Sequence, residues 1–533
     1  MERRKFIKST AVLSAPLIFN HIPVLASSAL ESSNLDIMAK AASECGKILV
    51  IIQMNGGNDG LNTIFPKDKW SELSQARSNI LMNENSVLSL NGNDTTGFHP
   101  EMVEMKNLYD EGNLMIVQNV SYPNPSYSHF RATDIWFTAS DSDQSLSTGW
   151  LGRALNEYYP NFPNAYPSAQ MPDPLAIQIG STLPFSLQGP NINMAYSVPD
   201  PNDLLNVINA TTDPAPNSDY GNELTFLRLM KDQSNKYRTA IQTAYNAAKP
   251  QSATYPNNNY LADQLQIVAK LINGGLQTPI YIVNHPDGFD THENQVLDSD
   301  KTKGRHARNL KILSKAVGAF QEDLKIIGKT ENVAGMTFSE FGRRIKSNDS
   351  TGTDHGTCAP VMFFGANLNT VGVTGTAHPI AGMIGTSSDI PQNATVDDEI
   401  PMQFDFRQIY ATVMQDWLCM SETQSALVLG RQFDKLPIFG KKAIPTSTAL
   451  ANEFMVLYPN PVVNNQINIQ FNTTLKSSVN ITIHTIQGST LLNEQYAVNG
   501  DFLSFNALVL STGTYILTLT YLQNKYVEKM IVL

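Results

Sequence analysis

Short runs of consecutive apolar residues, each ended by a cluster of Gly, Asn, Asp or His, set the pattern of the chain between Lys47 and Gly365. Lys47-Ile48-Leu49-Val50-Ile51-Ile52-Gln53-Met54 runs into Asn55-Gly56-Gly57-Asn58-Asp59-Gly60, and Leu114-Met115-Ile116-Val117 leads through Asn119 to the segment 121–131. Pro279-Ile280-Tyr281-Ile282-Val283 is followed by Asn284-His285-Pro286-Asp287-Gly288-Phe289-Asp290-Thr291-His292. Val333–Phe338 and Pro360–Phe364 enclose Glu340, Arg343, Arg344, Asp354 and His355. Such runs, apolar on both faces, predict buried strands of the kind found in parallel sheets. Between them the period changes. Met102, Met105, Leu108 and Tyr109, and then Leu310, Leu313, Val317, Phe320, Leu324 and Ile327, recur at spacings that put one apolar stripe on a helix. The rhythm is β-α-β, and in open α/β sheets ligands bind at the carboxyl ends of strands, where these polar clusters fall. Residues 141–252, rich in Pro, Asn and Tyr with one helix over about 223–248, are expected to form an insertion or lid.

After Gly440 the period becomes two. A linker over 441–453 precedes alternating runs at Ile467, Ile469, Phe471, at Val479, Ile481, Ile483, and at Tyr515, Leu517, Leu519, Tyr521. This alternation predicts a small antiparallel β-sandwich over 454–533.

With 533 residues, 42% of them hydrophobic, the chain can bury more than one core. A net charge of −11 excludes a non-specific nucleic-acid binder, which needs a basic face. Three cysteines give no disulfide framework, although one Cys358–Cys419 bridge is allowed. Residues 1–30 place Arg3-Arg4 before a moderately apolar stretch, Ala11 to Leu25, and form either an export signal or a basic amphipathic helix. No other apolar run is long enough to span a bilayer, so no transmembrane helix is expected in the mature protein.

The polar clusters carry the candidate chemistry. Gly56 and Gly57 permit positive φ and close approach, so the turn is either an ordinary Asn/Asp/Gly turn or an anion nest in which Asp59 offers a carboxylate. Ser128, at a helix start beside His129, is either a hydroxyl nucleophile or only the N-cap, with Arg131 near enough to hold an anion. Asp290 and His292, two apart in an extended segment, can share a metal ion or sit in a solvated loop.

Taken together, Gly56–Asn62, Tyr127-Ser128-His129-Phe130, Gly149-Trp150-Leu151-Gly152-Arg153, Gly288–His292, Ser339-Glu340-Phe341-Gly342-Arg343 and Gly352-Thr353-Asp354-His355-Gly356 resemble domain-of-unknown-function family 1501, exported proteins related to the alkaline phosphatase and sulfatase superfamily. The resemblance spans 47–440. It implies an alkaline-phosphatase-like α/β/α sandwich with a mostly parallel sheet and one or two divalent ions, Zn or Mn, at the strand ends. The implied ligands are Asp59, Asp290, His292 and His355, with Glu340 and Asp354 as further candidates; Ser128, His129, Arg131 and Arg343 fall to catalysis. The chain departs from the pattern at Glu340-Phe341, where an adjacent Asp-His pair is usual, and lacks the sulfatase Cys/Ser-x-Pro-x-Arg motif. The implied substrate is a small anionic ester or a sulfated or phosphorylated glycan. The N-terminus resembles a twin-arginine signal. The segment 454–533, with Tyr458-Pro459-Asn460-Pro461 and Gly513-Thr514-Tyr515, resembles the type A sorting domain of the type IX secretion system, so the expected route runs through the periplasm to the cell surface or medium.

Overall fold

The computed structural model describes residues 45–440, apart from 161, 165, 203–214, 217, 250–254 and 371–381. It also describes 455–532, apart from 459–461, 463–465, 486–489, 507–509, 512 and 522–523. The proposed signal and linker lie outside these residues. The described residues form two compact units, one up to Gly440 and one beyond it.

The first unit is built on a mixed sheet of β1 (Ile48–Gln53), β2 (Leu114–Ser121), β3 (Ala176–Ile179), β4 (Ala195–Val198), β5 (Ile280–Asn284), β6 (Val333–Phe338), β7 (Ala359–Phe364), β8 (Met383–Ile384) and β9 (Phe404–Asp405). The spatial order is β8-β2-β7-β6-β1-β5-β3-β4, with β9 also beside β2. β1 lies between β5 and β6, parallel to both, with Val50 opposite Tyr281 and Gly335. β7 differs: it runs antiparallel to β2 and β6. Consecutive parallel strands need a crossover of a dozen or more residues, usually helical. Between β6 and β7 the chain instead makes a two-stranded hairpin, Gly342–Ser347 with Thr353–Gly356, and returns in the opposite sense. Apolarity on both faces fixed burial here but not direction.

Alternate residues of β1 enter two cores. Leu49 and Ile51 pack with Trp136, Trp150, Tyr410 and Trp417 on one face. Val50 and Ile52 pack with Leu265, Leu313, Val317 and Phe320 on the other. The first face is covered by α2 (His129–Thr138), α3 (Trp150–Tyr158) and α7 (Phe406–Thr412), the second by α1 (Val103–Asp110), α5 (Tyr260–Asn273) and α6 (Arg305–Ile326), with α4 (Asp219–Ala247) packed beside α5. This is a three-layer α/β/α fold. Residues 141–252, expected as an insertion, contribute β3 and β4 to the sheet itself.

The disulfide also differs from expectation. Cys45 bonds Cys419, with Cα atoms 6.1 Å apart, and Cys358 is buried and free. Because β7 is antiparallel, Cys358 at its start lies at the carboxyl edge of β1, whereas Cys45 precedes β1 at the amino edge.

The second unit is one five-stranded antiparallel sheet in which two long strands, Gln466–Thr485 and Thr490–Asn506, pair along most of their length. Their register shifts between Gln470 and Leu475. Ile467 and Ile469 from one side of the shift, and Val479 and Ile481 from the other, are all fully buried in a single core. A flat sheet of five strands would leave one face to water, so the halves must close over that core. Among the described residues no helix is long and apolar enough to cross a membrane.

Candidate metal centre and active site

β2, β1, β5 and β6 all point their carboxyl ends to one edge of the sheet, and antiparallel β7 begins there. The loops after those four strands and the hairpin before β7 therefore meet. The turn after β1 is locked against its neighbours, with Phe289 N–H donating to Asn55 O at 2.7 Å and Asn58 N–H to Ser339 Oγ at 2.9 Å. Two glycines make this approach possible. Gly56 has φ +107°, and a Cβ there would lie 2.4 Å from Asp290 N; Gly57 has φ +76°, and its Cβ would lie 2.4 Å from the Phe341 ring.

Asp290, His292 and His355 converge. His292 Nε2 and His355 Nε2 are 2.9 Å apart, and Asp290 Oδ1 is 3.2 Å from the first and 3.3 Å from the second. Each side chain is oriented from behind. His292 Nδ1 faces Asp354 Oδ1 at 3.0 Å, His355 Nδ1 faces Tyr127 O at 2.7 Å, and Asp290 Oδ1 accepts from Arg343 Nη2 at 2.7 Å. With both Nδ1 atoms donating, both Nε2 lone pairs are aimed at the same space as a carboxylate oxygen. Three electron-rich atoms so close repel one another unless a cation or proton lies among them. Ligands about 2.0–2.1 Å from a zinc-sized ion stand roughly 3.3 Å apart in a tetrahedron, and carboxylates and carbonyls that orient metal-bound imidazoles are a recurrent support. The residues fit a divalent ion.

His129 completes the group. Its Nδ1 is 2.8 Å from Glu340 Oε1 and its Nε2 is 3.5 Å from Asp290 Oδ2; His129, Asp290 and His355 also offer ligand atoms close enough for one ion. Glu340 is buried and also accepts from Gly56 N–H at 2.8 Å. The Phe341 ring packs 4.8 Å from the His129 ring and 4.5 Å from that of His355.

The charges suit these roles. Burial would raise the Asp290 carboxyl, but the Arg343 guanidinium outweighs it and holds the pKa down to about 2. Burial lowers His355, favouring the neutral, ligating imidazole. The Glu340 hydrogen bond raises His129 against the opposing effect of burial.

Several expected roles are corrected. Asp59 makes no contact with the cluster's histidines or Asp290 and is fully buried, accepting from Arg77 Nη1 at 2.9 and 2.7 Å and from Gln295 Nε2 at 2.6 Å. Both of its oxygens are engaged, so it is a structural anchor. Glu340 and Asp354 face imidazoles and lie outside the triangle of Asp290, His292 and His355. Arg343 is fully buried, donating to Gly57 O, Thr353 O, Gly56 O and Phe289 O as well as Asp290, and at 0% side-chain exposure it is closed to a substrate anion. Arg131 holds Asp134 and the carbonyls of Asp141, Ser142 and Gln144. Ser128 is exposed at the N-cap with no side-chain capping bond, and among the described residues no base is hydrogen-bonded to its hydroxyl. The Gly56 amide, engaged by Glu340, is not a free nest donor. Arg77, Gln295 and the Tyr127 carbonyl carry no sequence signal, since contact across 18 and 236 residues marks two of them and a backbone atom the third.

A three-layer α/β/α protein with a His/Asp centre at the carboxyl edge of its sheet, followed by a separate antiparallel unit, is thus the class that fold and site define. Residues 46–429 match the family described as "Protein of unknown function (DUF1501)", and the chain belongs to that family. Residues 456–533 match the "Secretion system C-terminal sorting domain". This type IX tail directs the protein to the cell surface or medium. No curated protein matches the chain. Among solved structures, a Bacteroides thetaiotaomicron protein, described in work on metabolism of multiple glycosaminoglycans, is 11% identical with TM-score 0.32, covering 85% of this chain and 90% of its own. The PsFucS1 sulfatase from Pseudoalteromonas sp. is 11% identical with TM-score 0.27, covering 90% and 88%. An alkaline phosphatase superfamily protein from Vibrio parahaemolyticus is 10% identical with TM-score 0.27, covering 84% and 85%. Likeness at these levels carries no chemistry over to this chain.

Proposed function

We propose that the first unit is a metal-dependent hydrolase of phosphate or related anionic esters, glycan sulfates and phosphates included, acting outside the cell. The observation that supports this most is the triangle of Asp290 Oδ1, His292 Nε2 and His355 Nε2, with edges of 2.9–3.3 Å. Mixed nitrogen and oxygen donors suit Zn²⁺ or Mn²⁺ better than Ca²⁺. When bound, such an ion supplies Lewis acidity toward an ester oxygen and makes a nearby water more acidic.

The chain's own residues do the rest. Glu340 accepts from His129 Nδ1 and fixes the ring, leaving Nε2 to handle the proton. An attacking water loses its proton to His129 Nε2 as its oxygen bonds phosphorus or sulfur; the bond to the alcohol oxygen breaks, and that oxygen takes the proton back. Arg343 keeps Asp290 ionised and aimed. Side-chain exposures of 21% at His355 and 45% at Asp290 leave room for substrate.

His129→Asn should abolish turnover of phosphomonoesters, phosphodiesters and sulfate esters while zinc is retained, and Asp290→Ala should lose both. A wild-type protein that binds the ion but turns over none of these esters would favour a second reading, a non-catalytic surface binding or scaffold protein. Phe341, where the related superfamily usually has a metal-binding His, is the residue that favours it.

A further inference from the structure

Phe130 follows His129 on the first turn of α2 and is 90% exposed, more than any other large apolar side chain among the described residues. Single exposed apolar residues are ordinary, but the place of Phe130, next in sequence to His129, is not. Tyr127, Leu146 and Val396 are also exposed, and all lie on segments tied to the metal centre. The Tyr127 carbonyl orients His355, and its phenol interacts electrostatically with Glu399, three residues from Val396. Arg131, next to Phe130, grips the backbone of the loop 141–144 that leads to Leu146. Cationic groups here are engaged: Arg131 and Arg343 as described, and Arg344 by Val396 O, Asp397 and Glu399. Asp354, beside His292, and Asp397, beside Arg344, stand exposed, disfavouring negative charge beyond the reacting group. Recognition of the rest of the substrate therefore falls to apolar faces.

We propose that Phe130 is a specificity-determining residue that stacks on the ring of an otherwise neutral, ring-bearing alcohol whose ester group lies at His292 and His355. The inference rests on the hydrolase reading. Aromatic stacking of this kind changes affinity by about 3- to 10-fold. Calorimetry on the zinc-loaded full chain with methylphosphonate, phenylphosphonate and glucose 1-phosphate tests it. Wild type should prefer the ring-bearing probes over methylphosphonate by that factor; Phe130→Ala should abolish the preference and Phe130→Trp keep it. Preference for phenylphosphonate alone assigns an aryl ester, and preference for both assigns ring-bearing alcohols in general, sugars included. No preference in wild type, a preference that survives Phe130→Ala, or no binding of any probe overturns the proposal. The expected binding pattern without ester turnover refutes the hydrolase reading alone, and turnover without ring preference refutes this inference alone.

Discussion

Replacing Asp59 by Ala separates a structural carboxylate from a metal ligand. The Asp59–Arg77 pair is closed to solvent, at 0% and 1% side-chain exposure and 2.7 Å separation. Removing one member of a buried pair costs about 3–5 kcal/mol, because the other charge is left uncompensated. Here the lower end applies, since Arg77 keeps the carbonyls of Ile345 and Arg344 as acceptors. Unfolding entropy near 2.1 cal/mol/K per residue over about 390 residues is roughly 0.8 kcal/mol/K, so about 3 kcal/mol lowers Tm by about 4 °C. The pH dependence has a definite sign. Burial would raise the Asp59 carboxyl, but Arg77 and His306 outweigh it and hold it below its ordinary value. A carboxyl depressed in the folded state stabilises above its unfolded pKa of about 4 and loses that contribution as pH falls through the folded pKa. The Tm gap between wild type and Asp59→Ala should thus be full at pH 7 and shrink below about pH 4. Differential scanning calorimetry with parallel zinc analysis reads both effects, and the Asp59→Ala/Arg77→Ala double variant should lose less than the two singles summed. If Asp59→Ala emptied the metal centre at unchanged Tm, the structural assignment would be refuted.

Three further outcomes follow from the packing. Cys45→Ser opens a loop spanning 374 residues, and on the chain-entropy account the oxidised wild type should exceed it by up to about 5 kcal/mol, read as a denaturation midpoint that reductant abolishes. Gly57→Ala forces a Cβ into the Phe341 ring at positive φ, so about 1–3 kcal/mol of stability should be lost and metal affinity weakened as His129 and His355 shift; an unchanged midpoint and affinity would contradict that contact. Deleting 456–533 should retain the protein inside the cell envelope, and undiminished surface or medium levels of the truncated chain would contradict the role of the tail.

Much of the sheet was legible because buried strands declare themselves by length and apolarity: the runs at Lys47, Leu114, Pro279, Val333 and Pro360 correspond to β1, β2, β5, β6 and β7. Direction was not legible in β7, because sequence shows which faces are buried and not what connects the strands. β3 and β4 hid inside a stretch dominated by Pro, Asn and Tyr; each is only four residues long. The polar clusters at strand ends marked the right edge of the sheet, but residue type could not separate the converging Asp290, His292 and His355 from the residues that support them. Asp354 and Glu340 are carboxylates like Asp290, and the carboxylate of Asp59 is engaged by Arg77, 18 residues downstream in sequence, and by Gln295. Arginines near a polar cluster suggest anion binding, yet burial converts Arg343 into a brace for carbonyls and for Asp290.

If Asp290, His292 and His355 form a metal centre, they hold one divalent ion. Equilibrium dialysis of the full chain against Zn²⁺, followed by elemental analysis, tests it most directly beside Asp290→Ala, His355→Ala and Asp59→Ala. Wild type and Asp59→Ala should each bind about one equivalent, and the other two variants should lose most of it. No bound zinc in wild type, or zinc retained in full by Asp290→Ala, would contradict it.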